Sequence, residues 1–367
     1  MLQLEITPVE QWLGTNDKPI IISGPCSAES EVQLINTAKE LAALNKIHLF
    51  RAGIWKPRTR PNSFNGVGEK GLGWLRTVKE ETGLLVTTEV ANRKHVELCL
   101  KYGIDILWIG ARTSANPFSV QEIADVLRGT DIPVLVKNPV NPDFQLWLGA
   151  LERINNAGIT KLAAIHRGFS SFEPTPFRNS PMWELPIELK TKCQSLPVFC
   201  DPSHIAGSRD LIQMISQKAI DLDMNGLMIE SHINPQKALS DSKQQLTPSS
   251  LNRILNSLII RKADSNNKEF TDKLELLRNM IDNIDEEVIQ KLSARMEIAE
   301  KIGEYKKQNH VTILQINRWD KIINQRINMG AAMGLSKEFL GDFLRLIHKE
   351  SIRKQTEIMN AITEKAG

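Results

Sequence analysis

The sequence predicts an α/β fold, a (β/α)8 TIM barrel over residues 1–260, followed by an all-α domain over residues 272–367. Three observations carry this. Eight short apolar runs alternate with helical stretches over about 240 residues, the size of such a barrel. Several of those runs are continuous rather than alternating, as parallel strands buried on both faces are. From Thr271 to about Gln308 the chain then has no proline and one glycine, Gly303, and its apolar residues recur at helical spacing.

The runs are PIIISG (19–24), HLFRAG (48–53), LLVTTEV (84–90), ILWIG (106–110), VLVK (134–137), KLAAIH (161–166), VFC (198–200) and GLMIE (226–230). Stretches such as EVQLINTAKELAALN and SRDLIQMISQKAI, between runs, have helical periodicity. An open doubly wound sheet is the alternative, but G-P-C-S rather than G-x-G-x-x-G follows the first run. Residues 261–271, RKADSNNKEFT, are polar and aperiodic and are expected to be a linker. In the next helix the stripe falls at 274, 277, 281, 284, 288, 292, 299 and 302. At 1.5 Å per residue this helix is roughly 55 Å long, too long to hide its stripe on one small domain. A helical partner, a second subunit, is expected to cover it. Shorter helices are predicted near 316–331 and 336–363.

With 41% hydrophobic and 24% charged residues the chain reads as globular, and a net charge of +3 excludes nucleic acid or a membrane surface as the main partner. No apolar run could span a bilayer, and the first residues lack a signal-peptide pattern. Four cysteines without CxxC spacing suit a reducing cytoplasm.

Four cations, Arg51, Lys56, Arg58 and Arg60, fall within the eleven residues 50–60 at the end of the second run. Guanidinium forks and an ammonium gathered there suit small, multiply charged anions. Polar residues follow the other runs too: Cys26, Glu89, Arg112, Lys137, Arg167, His204, Glu230 and Asp241. In a barrel these strand ends converge on one mouth, where cations would repel one another unless an anion were held. Strand 8 closes onto strand 1, so Cys26, His204, Glu230 and Asp241 can meet. A thiolate, an imidazole and two carboxylates form a mixed-softness site for Mn, Fe, Co or Zn.

The ordered motifs G-P-C-S (24–27), K-P-R-T (56–59), G-A-R (110–112), H-R-G (166–168), D-P-S-H (201–204) and I-E-S-H (229–232) resemble the 3-deoxy-D-arabino-heptulosonate 7-phosphate (DAHP) synthases of type I-beta. The resemblance implies metal-dependent condensation of phosphoenolpyruvate with erythrose 4-phosphate. It implies that Cys26, His204, Glu230 and Asp241 bind the divalent metal, manganese foremost. It assigns Arg51, Lys56, Arg112, Lys137 and Arg167 to phosphoenolpyruvate, and Arg58 and Thr59 to the aldose phosphate, with Thr113 beside them. Glu89 or a metal-bound water, near Lys56, is expected to handle protons. The related 3-deoxy-octulosonate 8-phosphate synthases typically have K-A-N-R where this chain has K-P-R-T, which points to the four-carbon aldose.

In the tail, a helical wheel sets Arg295 at the angle of Leu277 and Lys306 at that of Val288, with Arg278 at the edge of the face. Ser351 and Gln355 fall on the stripe of Leu340, Leu344, Ile347 and Ile358. Polar groups on two apolar stripes point to an internal anion site. L-x-x-L-R-x-x-I-D-x-I-D (274–285), Arg295, Y-K-K (305–307), Arg318 and S-I-x-x-Q (351–355) resemble the all-helical chorismate mutases. The resemblance implies rearrangement of chorismate to prephenate. Arg278, Arg295 and Arg318 would hold carboxylates, Lys306 and Gln355 would face the ether oxygen, and Ser351 would orient a carboxylate. It also implies an intertwined homodimer in which Arg278 reaches the partner's site. Trp319 and Gln315 depart from the usual Glu and Asp. The alternative is a tail that dimerises and senses prephenate without catalysis.

Overall fold

The structure, a computed structural model, describes residues 4–56, 64–261, 267–314 and 316–360, and of 316–321 the backbone alone. It divides into two compact units, Met1–Ala263 and Asp264–Gly367.

In the first unit the eight apolar runs form strands β1 (Ile20–Gly24), β2 (Leu49–Arg51), β3 (Leu85–Val90), β4 (Ile106–Ile109), β5 (Val134–Lys137), β6 (Leu162–His166), β7 (Val198–Cys200) and β8 (Gly226–Glu230). All pair in parallel, each with the next, and β8 closes on β1 with Ile20 opposite Gly226 and Gly24 opposite Glu230. Closure excludes the open sheet. The helices are α1 (Val9–Leu13), α2 (Glu31–Ala42), α3 (Lys70–Thr82), α4 (Arg93–Tyr102), α5 (Ala111–Ser114), α6 (Pro117–Leu127), α7 (Phe144–Asn156), α8 (Glu184–Lys192), α9 (Pro202–Ala206), α10 (Ile212–Asp221) and α11 (Pro248–Ser257). Several start where the sequence places a cap. Ser30, Asn92, Asn116 and Asp143 each accept a backbone N–H of the first turn, satisfying donors that the helix cannot.

The strands alternate between two cores. Ile20, Ile22, Leu49, Trp108, Leu135, Ile165, Phe199 and Met228 fill the barrel's interior. Their neighbours, such as Ile21, Phe50, Leu107, Val136, Ala164 and Leu227, pack outward against the helices. Both faces are buried, which explains the unbroken apolar runs.

The second unit contains α12 (Lys268–Gln308), α13 (Ile316–Ala332) and α14 (Lys337–Asn360). Helix α12 begins inside the expected linker 261–271. Asn267 accepts from the Phe270 N–H at 3.1 Å, and nothing in Lys268–Thr271 opposes a helix. Those polar residues are an exposed first turn, whose composition resembles a linker's. No described helix is long and apolar enough to cross a membrane.

Candidate active site at the barrel mouth

The first ligand group is placed by a backbone contact. Gly24 has φ +151°, and a Cβ there would lie 2.0 Å from the Arg51 carbonyl oxygen, so only glycine lets the ends of β1 and β2 approach this closely. Arg51 Nη2 then donates to the Cys26 carbonyl at 3.3 Å. Cys26 Sγ lies 3.2 Å from Asp241 Oδ2 and accepts from Lys56 Nζ at 3.0 Å. Ligand atoms of Cys26, Glu230 and Asp241 all lie within 4.8 Å of one another. His204 Nε2 stands 3.7 Å from Glu230 Oε1 and 3.9 Å from Asp241 Oδ2. The four residues read as one set from the sequence thus meet.

Their electrostatics suit a cation. Burial lowers the His204 pKa, so the ring is neutral near pH 7. Its Nδ1 donates to Asp201 Oδ2 at 2.8 Å, which leaves the Nε2 lone pair toward the carboxylates. Burial alone would raise the Asp241 carboxyl, but the surrounding positive charge, Arg178 and Lys56 in particular, outweighs it and holds Asp241 well below the usual range. Glu230 is fully buried, and among the described residues its Oε1 accepts no hydrogen bond. One sulfur, one imidazole nitrogen and two carboxylates, one of them with a buried oxygen that accepts no hydrogen bond among the described residues, fit a divalent ion.

The cations ring this cluster. Arg51, 1% exposed, lies 3.4 Å from Glu230 Oε1 and 4.9 Å from the centre of the Trp108 ring. Among the described residues its Nε and Nη1 have no hydrogen-bond partner, so two buried donors are open to an acceptor. Lys137 Nζ donates to Asp201 Oδ2 at 2.6 Å. Arg167 Nη1 donates to Asn179 Oδ1 at 2.8 Å, and burial lowers the Arg167 pKa to about 10, with Arg178 and Arg112 adding to the shift. Arg112 is exposed on α5 and Thr113 buried beside it. Glu89 Oε2 accepts from Trp108 Nε1 at 3.3 Å and, with Lys56, Trp55 and His95, lines a small pocket. Arg58, Thr59 and Arg60 lie outside the described residues.

Sequence reasoning missed three residues of the mouth. Asp201 joins Lys137 to His204 and caps α9, accepting from the His204 N–H at 3.1 Å. The Asp-Pro of D-P-S-H is a helix-start signal that could have revealed it. Arg178 and Gln244 lie in long loops after β6 and β8, where no periodicity marks them.

In the helical unit a cavity of about 650 Å³ is lined by Arg295, Lys306, Ser351 and Gln355, joined by Arg326 and His348, which the sequence did not single out. Arg295 Nη1 donates to Ser351 Oγ at 2.5 Å, and Lys306 Nζ donates to the Ile313 carbonyl. Gln355 is buried, with Oε1 unpartnered among the described residues. Burial, then Arg326, lowers the Arg295 pKa. Arg278 is exposed and does not line the cavity. The side chains of Arg318, Gln315 and Trp319 lie outside the described residues.

A closed barrel with this mouth, joined to a helical unit with its own polar cavity, defines a two-domain (β/α)8-barrel enzyme. Residues 3–264 match the model of the DAHP synthetase I family, and the chain belongs to that family. Residues 277–356 match the chorismate mutase type II model, so a chorismate mutase domain follows the synthase domain. The phospho-2-dehydro-3-deoxyheptonate aldolase of Thermotoga maritima is 37% identical over 226 residues, 62% of this chain and 64% of that protein. This chain therefore spans just under two thirds of that relative's length. The 2-dehydro-3-deoxyphosphooctonate aldolase of Legionella pneumophila is 28% identical over 66% of this chain and 91% of its own. The crystal structure of the Thermotoga maritima DAHP synthase superposes with a TM-score of 0.60 at 34% identity, over 69% of this chain and 72% of that one.

Proposed function

We propose that the barrel condenses phosphoenolpyruvate with erythrose 4-phosphate to DAHP and inorganic phosphate, and that the helical unit rearranges chorismate to prephenate. The chain would then act twice in aromatic biosynthesis. The observation that carries the first reading is the convergence of Cys26 Sγ, His204 Nε2, Glu230 Oε1 and Asp241 Oδ2 beside Arg51, Lys56 and Lys137. A divalent ion held by the first four, Mn, Fe, Co or Zn, would supply Lewis-acid polarisation of the aldehyde oxygen.

The chain's own groups do the rest. Arg51 offers two buried donors, unpartnered among the described residues, to the donor substrate's carboxylate or phosphate. Lys137, Arg167 and Arg112 complete its charge balance, while Arg58, Thr59 and Thr113 take the aldose phosphate. Fixing both anions brings C3 of the enol phosphate onto the aldehyde carbon without the entropy loss of a free encounter. Water then adds at C2, phosphate leaves, and Glu89, which lines a pocket with Lys56, would move the proton. The heptonate rather than the octonate product is supported by K-P-R-T at 56–59 and by the 37% identical Thermotoga relative.

For the second reading the supporting observation is the cavity on which Arg295, Lys306, Ser351 and Gln355 converge. Rearrangement of a dianion needs a clamp and a donor at the ether oxygen rather than an acid, base or metal. Arg278, on the exposed half of α12, would serve the cavity of a second copy, and Arg318 would complete this one.

Both turnovers measured on the full chain test the reading. Cys26→Ala is expected to abolish condensation and leave chorismate turnover intact. Arg295→Ala is expected to lower chorismate turnover about a hundredfold or more and leave condensation intact. Condensation that survives Cys26→Ala, or strong chelation, would refute the metal-dependent synthase. A folded wild-type chain that leaves chorismate unchanged favours the non-catalytic, prephenate-sensing tail.

A further inference from the structure

Two of the four groups assigned to the metal are carboxylates, and each could bind through one oxygen or two. The structure accounts for one oxygen of each. Gln244 Nε2 donates to Glu230 Oε2 at 2.7 Å, and Gln244 Oε1 accepts from Arg178 Nη1 at 2.7 Å. The same Nη1 donates to Asp241 Oδ1 at 3.0 Å. One continuous chain therefore runs from Glu230 Oε2 through Gln244 and Arg178 to Asp241 Oδ1. The oxygens left over are those that face the other ligands. Glu230 Oε1 is buried and accepts no hydrogen bond among the described residues, and Asp241 Oδ2 faces Cys26 Sγ at 3.2 Å.

We propose that Arg178 and Gln244 are positioning residues that make Glu230 and Asp241 one-oxygen ligands of the metal. The inference rests on the metal assignment above and deepens it. Two chelating carboxylates with Cys26 and His204 would present six donor atoms and crowd out water and substrate. Held to one oxygen each, they present four and leave positions open, as a catalytic site requires.

The loops that carry the pair are themselves pinned. Leu239 N–H donates to Glu29 Oε1 at 2.7 Å, and the Ser240 and Ser27 hydroxyls meet at 2.6 Å, which anchors the loop of Asp241 and Gln244 to the loop after β1. Asn179, next to Arg178, donates to the His204 carbonyl at 2.6 Å. Gly207 gives Arg178 its room, because a Cβ there would come within 2.4 Å of Arg178 Cβ. Arg178 itself is 45% exposed, so the anchoring of both loops, rather than burial of the guanidinium, is what fixes the pair.

Cobalt(II) titration of the metal-stripped full chain tests the inference without an activity assay. The thiolate–cobalt charge-transfer band reports binding at Cys26, and the d–d intensity reports coordination number. Arg178→Met and Gln244→Leu are each expected to weaken cobalt binding roughly ten- to a hundredfold. Each should also lower the d–d intensity, as a released oxygen raises the coordination number. Arg178→Lys, whose ammonium can still hold Asp241, should recover part of the affinity. Should one variant fail to fold, the other interrupts the same chain and carries the test. A wild-type chain with no thiolate–cobalt band overturns the metal assignment and this inference together. A wild-type band whose affinity and d–d intensity neither variant alters overturns the inference alone.

Discussion

At the scale of single residues, the mouth combines groups whose charge states oppose one another, and pH should expose this. Burial pushes the Cys26 thiol up to about 12, with Glu230 and Asp241 adding to it and Lys56 opposing. The free thiol therefore keeps its proton throughout the working range, whereas the ligand is the thiolate. Each ion bound must displace that proton, so apparent metal affinity should rise about tenfold per pH unit and fall correspondingly on acidification. His204, lowered by burial, adds no proton near neutrality and begins to compete only at lower pH. Metal titrations between about pH 6 and about pH 8 check this, and an affinity independent of pH would sink it. Glu89 allows a second test. A Cβ on Gly110 would lie 2.0 Å from Glu89 Oε1, yet the backbone at Gly110, φ −73°, is open to any residue. In Gly110→Ala the flexible carboxylate must swing aside. We expect condensation to fall about a hundredfold while thermal stability changes little. Equal losses of activity and stability would show that Glu89 is merely packed.

At the scale of elements, the end of β1 is where backbone geometry and chemistry coincide. Gly24→Ala puts a methyl against the Arg51 carbonyl at a φ that alanine rarely adopts, and no side-chain movement relieves a backbone clash. Denaturant unfolding should register a loss of about 3 kcal/mol or more, a cost confined to a short set of mechanisms including this one. A near-neutral result would mean that β1 and β2 can separate without harm. The strands themselves were legible because burial on both faces leaves unbroken apolar runs, as in Ile20–Gly24 and Gly226–Glu230. From their order follows the meeting of Cys26 with Glu230. What stayed hidden depends on loop conformation. Asp241 adopts a left-handed φ of 46°, and Arg178 reaches it from the loop after β6. Side-chain period carries no information about such a pairing. The start of α12 is hard to read from sequence for a related reason, since an exposed first turn and a linker share one composition.

At the scale of the whole molecule, α12 poses the remaining question. Its 41 residues extend roughly 60 Å. Leu277, Ile281, Ile284 and Val288 along it are 48%, 57%, 57% and 43% exposed. Full burial of one such side chain is worth about 1.5–3 kcal/mol, so covering a face of four would be strongly favoured, and we expect a second copy to cover it. Arg278 lies at the edge of this face, too far along the helix to line the cavity around Arg295 in its own chain. One dimer would thus satisfy both the apolar face and the stranded arginine. The full chain should sediment as a dimer, and Ile281→Asp with Ile284→Asp should make it a monomer. That monomer should lose chorismate turnover, because its cavity no longer receives Arg278 from a partner. The residues assigned to condensation all lie outside α12, so condensation should persist. A monomeric wild-type chain, or a monomeric variant that still converts chorismate, would remove the argument for a shared site.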